Sequence, residues 1–143
     1  MKSPRESNPV EEKSAAAQSP HVSIVDDDES VREAIKSLLR SVGFGADVFA
    51  SAEEFLRSDR LKDTTCLILD VRMPGMNGLE LQERLASLEY KIPIIFITAH
   101  VSDQEARHRA LQAGAVDFLR KPFSEETLLE GVYAITEFRG GRV

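Results

Sequence analysis

Polar groups able to do chemistry stand where short apolar runs stop. Asp26 and Asp27 follow Val22 to Val25, Asp70 follows Cys66 to Leu69, Thr98 follows Ile94 to Ile97, and Lys121 lies just beyond Val116 to Leu119. If those runs are parallel strands, their carboxyl ends share one edge of a sheet, where residues far apart in sequence converge on a pocket. Three carboxylates held together repel one another, and a hard cation with oxygen ligands relieves that repulsion. Magnesium suits such a set, since it keeps several waters, needs few carboxylates and takes phosphate oxygens. A carboxylate beside that ion can attack a phosphoryl group, because the metal offsets the negative charge of both partners. Asp70 would be the nucleophile, Lys121 a second positive charge, and the Thr98 hydroxyl a hydrogen-bond donor to the transferred group.

Taken singly, each residue has a plainer reading. Asp26 to Glu29 can be the acidic first turn of a helix, favoured by the helix dipole. Asp70 can be a turn residue before Pro74-Gly75-Met76-Asn77-Gly78. Thr98 is an ordinary strand residue, and Lys121 before Pro122 an ordinary solvated side chain. His21, His100 and His108 read as surface groups. Joint placement at the same end of successive strands favours the chemical reading. The chain shows no Ser-His-Asp or Cys-His arrangement, and Gly75-Met76-Asn77-Gly78 lacks the spacing and lysine of a nucleotide-binding loop.

The elements needed to position these residues are legible. Val31, Ile35, Leu38, Leu39 and Val42 form one helical stripe that Gly43 ends. Ala46 to Ala50 reads as a second strand, and Ser51-Ala52-Glu53-Glu54 as a capping box opening a helix with Phe55 and Leu56. Leu81, Leu85 and Leu88 mark the inner face of a third helix. Ile92 to Thr98 is the strongest strand signal, with Pro93 near its start. Ser102-Asp103-Gln104-Glu105 reads as another capping box, and Gly114 ends that helix. Val116 to Leu119 is the fifth strand, and Ser124 caps a last helix with Leu128, Val132 and Ile135 inward. Five strands alternating with five helices predict an α/β fold, its parallel sheet covered on both faces.

Met1 to Pro20 can bury almost nothing and reads as a disordered tail. Residues 21–139 form one domain, and 140–143 an end or linker stub. A net charge of −6 argues against a surface that itself grips nucleic acid. The lone Cys66 sits in an apolar run and reads as a core side chain, which fits a reducing cytoplasm. No apolar stretch approaches the roughly 18 residues that span a bilayer, and the first twenty lack the apolar centre of a signal peptide.

Four ordered motifs resemble the receiver domain of two-component response regulators: Ile24-Val25-Asp26-Asp27-Asp28-Glu29, Leu69-Asp70-Val71-Arg72-Met73-Pro74-Gly75-Met76-Asn77-Gly78, Ile97-Thr98-Ala99 and Gly114-Ala115-Val116-Asp117-Phe118-Leu119-Arg120-Lys121-Pro122-Phe123. The wording is similar to receivers of nitrogen-fixation and nodulation regulators, whose chains usually continue into a helix-turn-helix domain. The resemblance implies a flavodoxin-like five-stranded sheet of order 2-1-3-4-5. It implies that Asp70 takes a phosphoryl group from a phosphohistidine on a sensor histidine kinase. Magnesium would be held by Asp27, Asp70 and the backbone carbonyl of Arg72, and by Asp26 through water. Thr98 would be the switch hydroxyl, Phe118 the switch aromatic and Lys121 the phosphate contact, with a cis bond before Pro122. Phosphorylation would remodel the surface of the fourth helix, fifth strand and fifth helix, through which two copies could pair. Arg72 and His100 hold positions that tune the phosphoryl lifetime in this family. No output domain fits before Val143, which leaves a single-domain regulator and the receiver part of a longer transcription factor both open. Two alternatives share pieces of the pattern. A haloacid-dehalogenase-like phosphohydrolase needs a second Asp two residues after the first, where this chain has Arg72. A flavin-binding module on the same fold is weakened by the acidic loop after the first strand.

Overall fold

The computed structural model describes residues 20–100 and 103–137. Strands and helices alternate as β1 (His21–Val25), α1 (Glu29–Ser41), β2 (Gly45–Phe49), α2 (Ala52–Arg57), β3 (Cys66–Asp70), α3 (Gly78–Ser87), β4 (Ile94–Thr98), α4 (Gln104–Gln112), β5 (Asp117–Arg120) and α5 (Glu125–Thr136). Every strand pairing is parallel and the sheet order is β2-β1-β3-β4-β5, as expected.

Helices cover both faces, so the central strands carry unbroken apolar runs instead of an alternating pattern. β3 and β4 are buried at every position. Cys66, Ile68, Ile95 and Ile97 pack toward Ile35 and Leu39 of α1 and Leu128 and Val132 of α5. Leu67, Leu69 and Phe96 pack toward Phe55, Leu81, Leu85 and Ala110 of α2, α3 and α4. Each fully buried side chain of this size contributes about 1.5–3 kcal/mol. Among the described residues, no helix is long and apolar enough to cross a membrane.

The local signals act much as read, with informative departures. Asp28 caps α1 through Ser30 and Val31, and Ser124 caps α5 through Thr127. Ser51 accepts the N–H of Glu54, but the Glu54 carboxylate reaches back to Ala50 instead of Ser51. A reciprocal capping box does open α3, between Asn77 and Glu80, residues not singled out for that role. The box expected at α4 depends on Ser102, which lies outside the described residues; Asp103 stands at the cap position and makes no side-chain capping hydrogen bond, its carboxylate being turned elsewhere. Leu88 is exposed: α3 stops at Ser87, so helical spacing no longer directs the next side chain inward. β2 and β5 each shift by a residue from the expected limits, and Val116 stays outside the strand and exposed. Pro20 belongs to the fold, its carbonyl accepting from Gly45 N–H. The rest of the expected tail, and the stub at 140–143, lie outside the described residues.

Gly78 matters for space. A Cβ there would lie 2.3 Å from the Asp70 carbonyl oxygen and 3.1 Å from a ring carbon of Phe96. Helix propensity alone would make Gly78→Ala stabilising by about 1 kcal/mol. The clash is with backbone, which yields less readily than a side chain, and overpacking of this kind costs about 1–3 kcal/mol. Gly78→Ala is therefore expected to lower the urea midpoint of the chain. A raised midpoint would show that the loop after β3 yields freely and leaves Asp70 in place.

Candidate functional site

Strand register brings the polar groups together. Val25 pairs with Leu69 and Asp70 with Ile97, so Asp26, the residue just past β1, and Thr98, the last residue of β4, flank Asp70. Thr98 pairs with Arg120, and its carbonyl accepts the N–H of Lys121 at 2.7 Å. Parallel strands ending level with one another thus place all five groups on one edge. The Lys121-Pro122 bond is cis, as expected.

Asp26, Asp27 and Asp70 offer carboxylate oxygens that all lie within 4.8 Å of one another. Asp26 and Asp70 are buried while Asp27 is exposed, giving the cluster one open side. Both Asp26 oxygens have protein partners: one accepts the Asp28 N–H at 2.9 Å, the other the Lys121 ammonium at 2.8 Å. Lys121 Nζ also lies 3.9 Å from Asp70. Burial pushes the Asp70 carboxyl up to about 7, and the Asp26 charge adds to that rise. The Lys121 charge and a hydrogen bond from the Arg72 N–H oppose the rise without cancelling it. The site thus concentrates negative charge beyond what its own lysine neutralises, and an oxygen-only donor set of this kind can hold a hard divalent cation.

Asp103 is the site residue that sequence reasoning missed. Thr98 Oγ1 donates to its carboxylate at 2.6 Å, and Arg72 Nε donates to the same oxygen at 3.1 Å. A second guanidinium nitrogen of Arg72 engages the other oxygen. Burial raises the Asp103 carboxyl, but hydrogen bonds from Arg72 and Thr98 outweigh it and hold the group below the usual carboxylate value. His100 N–H donates to Thr98 Oγ1, so the Thr98 hydroxyl is engaged as donor and acceptor. An Asp near a helix start looks like a cap in sequence, and no local signal marks one that faces away from its helix. The Arg72 guanidinium, expected only at a lifetime-tuning position, has a defined partner here. Phe118 is partly buried, its ring centroid 5.9 Å from that of Phe96. Glu53 is a further brace, accepting the Met76 N–H in the loop after Asp70.

Residues 22–133 match the model of the response regulator receiver domain. The chain is 50% identical over 116 residues to nodulation protein W of Bradyrhizobium diazoefficiens, covering 81% of this chain and 51% of that protein. It is 40% identical over 116 residues to the transcriptional regulatory protein FixJ of Rhizobium meliloti, covering 81% of this chain and 56% of FixJ. The chain spans about half the length of these relatives. Among solved structures it is similar to the response regulator StyR, with a TM-score of 0.77 and 48% identity over 85% of this chain and 61% of that one. The crystal structure of FixJ-N gives a TM-score of 0.74 and 39% identity, covering 84% and 95% of the two chains. By motif, strand order and similarity over most of its length, the chain belongs to the receiver domain family of two-component response regulators, a family of phosphorylation-based signalling proteins.

Proposed function

We propose that Asp70 accepts a phosphoryl group from a phosphohistidine of a sensor histidine kinase, and that the resulting acyl phosphate switches the surface of α4, β5 and α5. The observation that carries this reading is the convergence of Asp70, Asp26, Asp27, Thr98 and Lys121 on one sheet edge, with Lys121 between two carboxylates. In the transfer an Asp70 oxygen bonds to phosphorus as the P–N bond breaks. The imidazole nitrogen keeps the bonding pair, and the ring takes up a proton. The chain acts as a phosphoacceptor that promotes its own transfer, not as a member of an enzyme family with turnover on a small substrate. A haloacid-dehalogenase-like reading has no second aspartate to use, since Arg72 occupies that position.

Magnesium fits the donor set. Asp27 and Asp70 would bind it directly with the Arg72 carbonyl, and Asp26, whose two oxygens are already engaged, would reach it through water. When bound it would neutralise the charge on the carboxylates and the incoming phosphoryl oxygens. Lys121 would supply the other positive charge, 3.9 Å from Asp70 in the resting site. The Thr98 hydroxyl would turn to a phosphoryl oxygen, and Phe118 would turn inward behind it. A cleft of about 160 Å³ lined by Thr98, Asp103 and Phe118 gives that movement room. A phosphoryl group adds about two charges and three acceptor oxygens, enough to bias a two-state element. The altered surface would pair two copies or act on a partner or output domain; that the relative FixJ is a transcriptional regulatory protein supports an output of that kind.

Incubation with acetyl phosphate and magnesium, read by intact mass, tests the reading. The native chain is expected to gain one phosphoryl mass and Asp70→Asn none. Equal gain by both, or no gain by the native chain, would exclude Asp70 as the acceptor.

A second expectation concerns pH. The Asp70 carboxyl holds its proton to about 7 in the folded chain, against an ordinary value of 3.8. Between those values the folded state binds more protons than the unfolded one, so metal-free stability falls as pH rises through that window. Asp70→Asn should flatten that slope. Magnesium at pH 8 should raise the melting temperature of the native chain by a few degrees and that of Asp70→Asn by less. Identical slopes for the two chains would contradict a raised Asp70.

A further inference from the structure

The carboxylate of Asp103 occupies an unusual position. An aspartate at a helix N-cap ordinarily accepts first-turn N–H groups, yet Asp103 makes no such bond at α4. Its side chain is 1% exposed, and both oxygens are turned into the site. One takes the only proton of the Thr98 hydroxyl, and Arg72 engages both. Toward that end α4 packs a partly buried Ala106 against the core. Its one buried residue, Ala110, lies near the other end, where the Gln82 amide donates to the Ala110 carbonyl at 3.1 Å.

We propose that Asp103 is a positioning residue that sets the resting state, holding the Thr98 hydroxyl proton and the Arg72 guanidinium on the α4 side of the site and away from Asp70. The inference rests on the reading of Asp70 as phosphoacceptor. A phosphoryl oxygen on Asp70 and the Asp103 carboxylate compete for the same hydroxyl proton, and a hydroxyl can donate to one of them only. Once the phosphoryl group takes it, Asp103 loses a charge-assisted partner while buried, which is costly. The relief available is rotation to the first-turn N–H groups of α4, a normal position for an aspartate. Asp103 thereby couples the state of Thr98 to the seating of α4 and slows phosphorylation in the resting chain.

The test is a mass time course with acetyl phosphate, whose P–O bond breaks with acetate leaving as Asp70 gains the phosphoryl group. Native chain, Asp103→Asn, Asp103→Ala, Thr98→Val and the double variant Thr98→Val with Asp103→Ala are compared. Loss of one charge-assisted hydrogen bond corresponds to about tenfold, so Asp103→Ala should gain mass about tenfold faster than native, with Asp103→Asn between. In the Thr98→Val background the Asp103→Ala gain should shrink, because its main route is gone. An unchanged rate in Asp103→Ala, or an equal gain with and without the Thr98 hydroxyl, overturns the proposal. Urea midpoints of the same variants, taken without phosphodonor, report the contact itself: non-additive shifts support it and additive shifts overturn it. If the native chain gains no mass at Asp70, the phosphoacceptor reading fails and displacement of Asp103 by phosphate fails with it. The urea cycle then still decides whether Asp103 holds Thr98.

Discussion

Buried negative charge at the carboxyl edge of the sheet is the constraint around which this domain is arranged. Asp26 and Asp70 are withdrawn from water beside each other, with Asp27 at the open side. Such a pair is tolerable only with compensating charge, and Lys121, delivered from the far side of the sheet by β5, supplies the part that the polypeptide itself can provide. The remainder can be met by a cation or by protonation. On the proposed reading that shortfall makes the site responsive, because a fully neutralised cluster would have no reason to take up an ion or a phosphoryl group.

The sheet exists to hold that edge level. Parallel strands in register place the residues after Val25, Leu69 and Ile97 next to one another, and the apolar stretches before them anchor each strand between two helical layers. Rigid strands below and loops above divide the labour: burial fixes the positions of the carboxylates, while Thr98 and Arg72 meet Asp103 through side-chain polar contacts, one from the hydroxyl and two from the guanidinium. The loop after β3 is tightly confined, since Gly78 packs directly against the Asp70 carbonyl and Glu53 holds Met76. Among the helices α4 has the fewest buried residues, one, which suits an element that a change in polar contacts could move.

Capping shows how tertiary contacts redirect local signals. Ser51, Asp28 and Ser124 serve the helices they precede, and the further contacts of Asp28 and Ser124, with the Ser30 and Thr127 hydroxyls, stay within the same first turns. Asp103 has the same local appearance but finds a guanidinium and a hydroxyl in reach, and those partners prevail over first-turn N–H groups. A charge-assisted contact in a buried setting is stronger than a cap at a solvated helix end, so the long-range partners win.

Strand and helix order, the two-sided burial of the sheet, and the placement of Asp26, Asp27, Asp70, Thr98 and Lys121 at strand ends were determined by the sequence alone. Apolar periodicity and turn chemistry are local properties, and parallel topology then leaves few arrangements. Only the tertiary structure decided that Leu88 and Val116 stay outside the core, that both oxygens of Asp26 are engaged, and that Asp103 faces Thr98 and Arg72 instead of its own helix. Each of these depends on where one element ends relative to another, a distance that no sequence window contains.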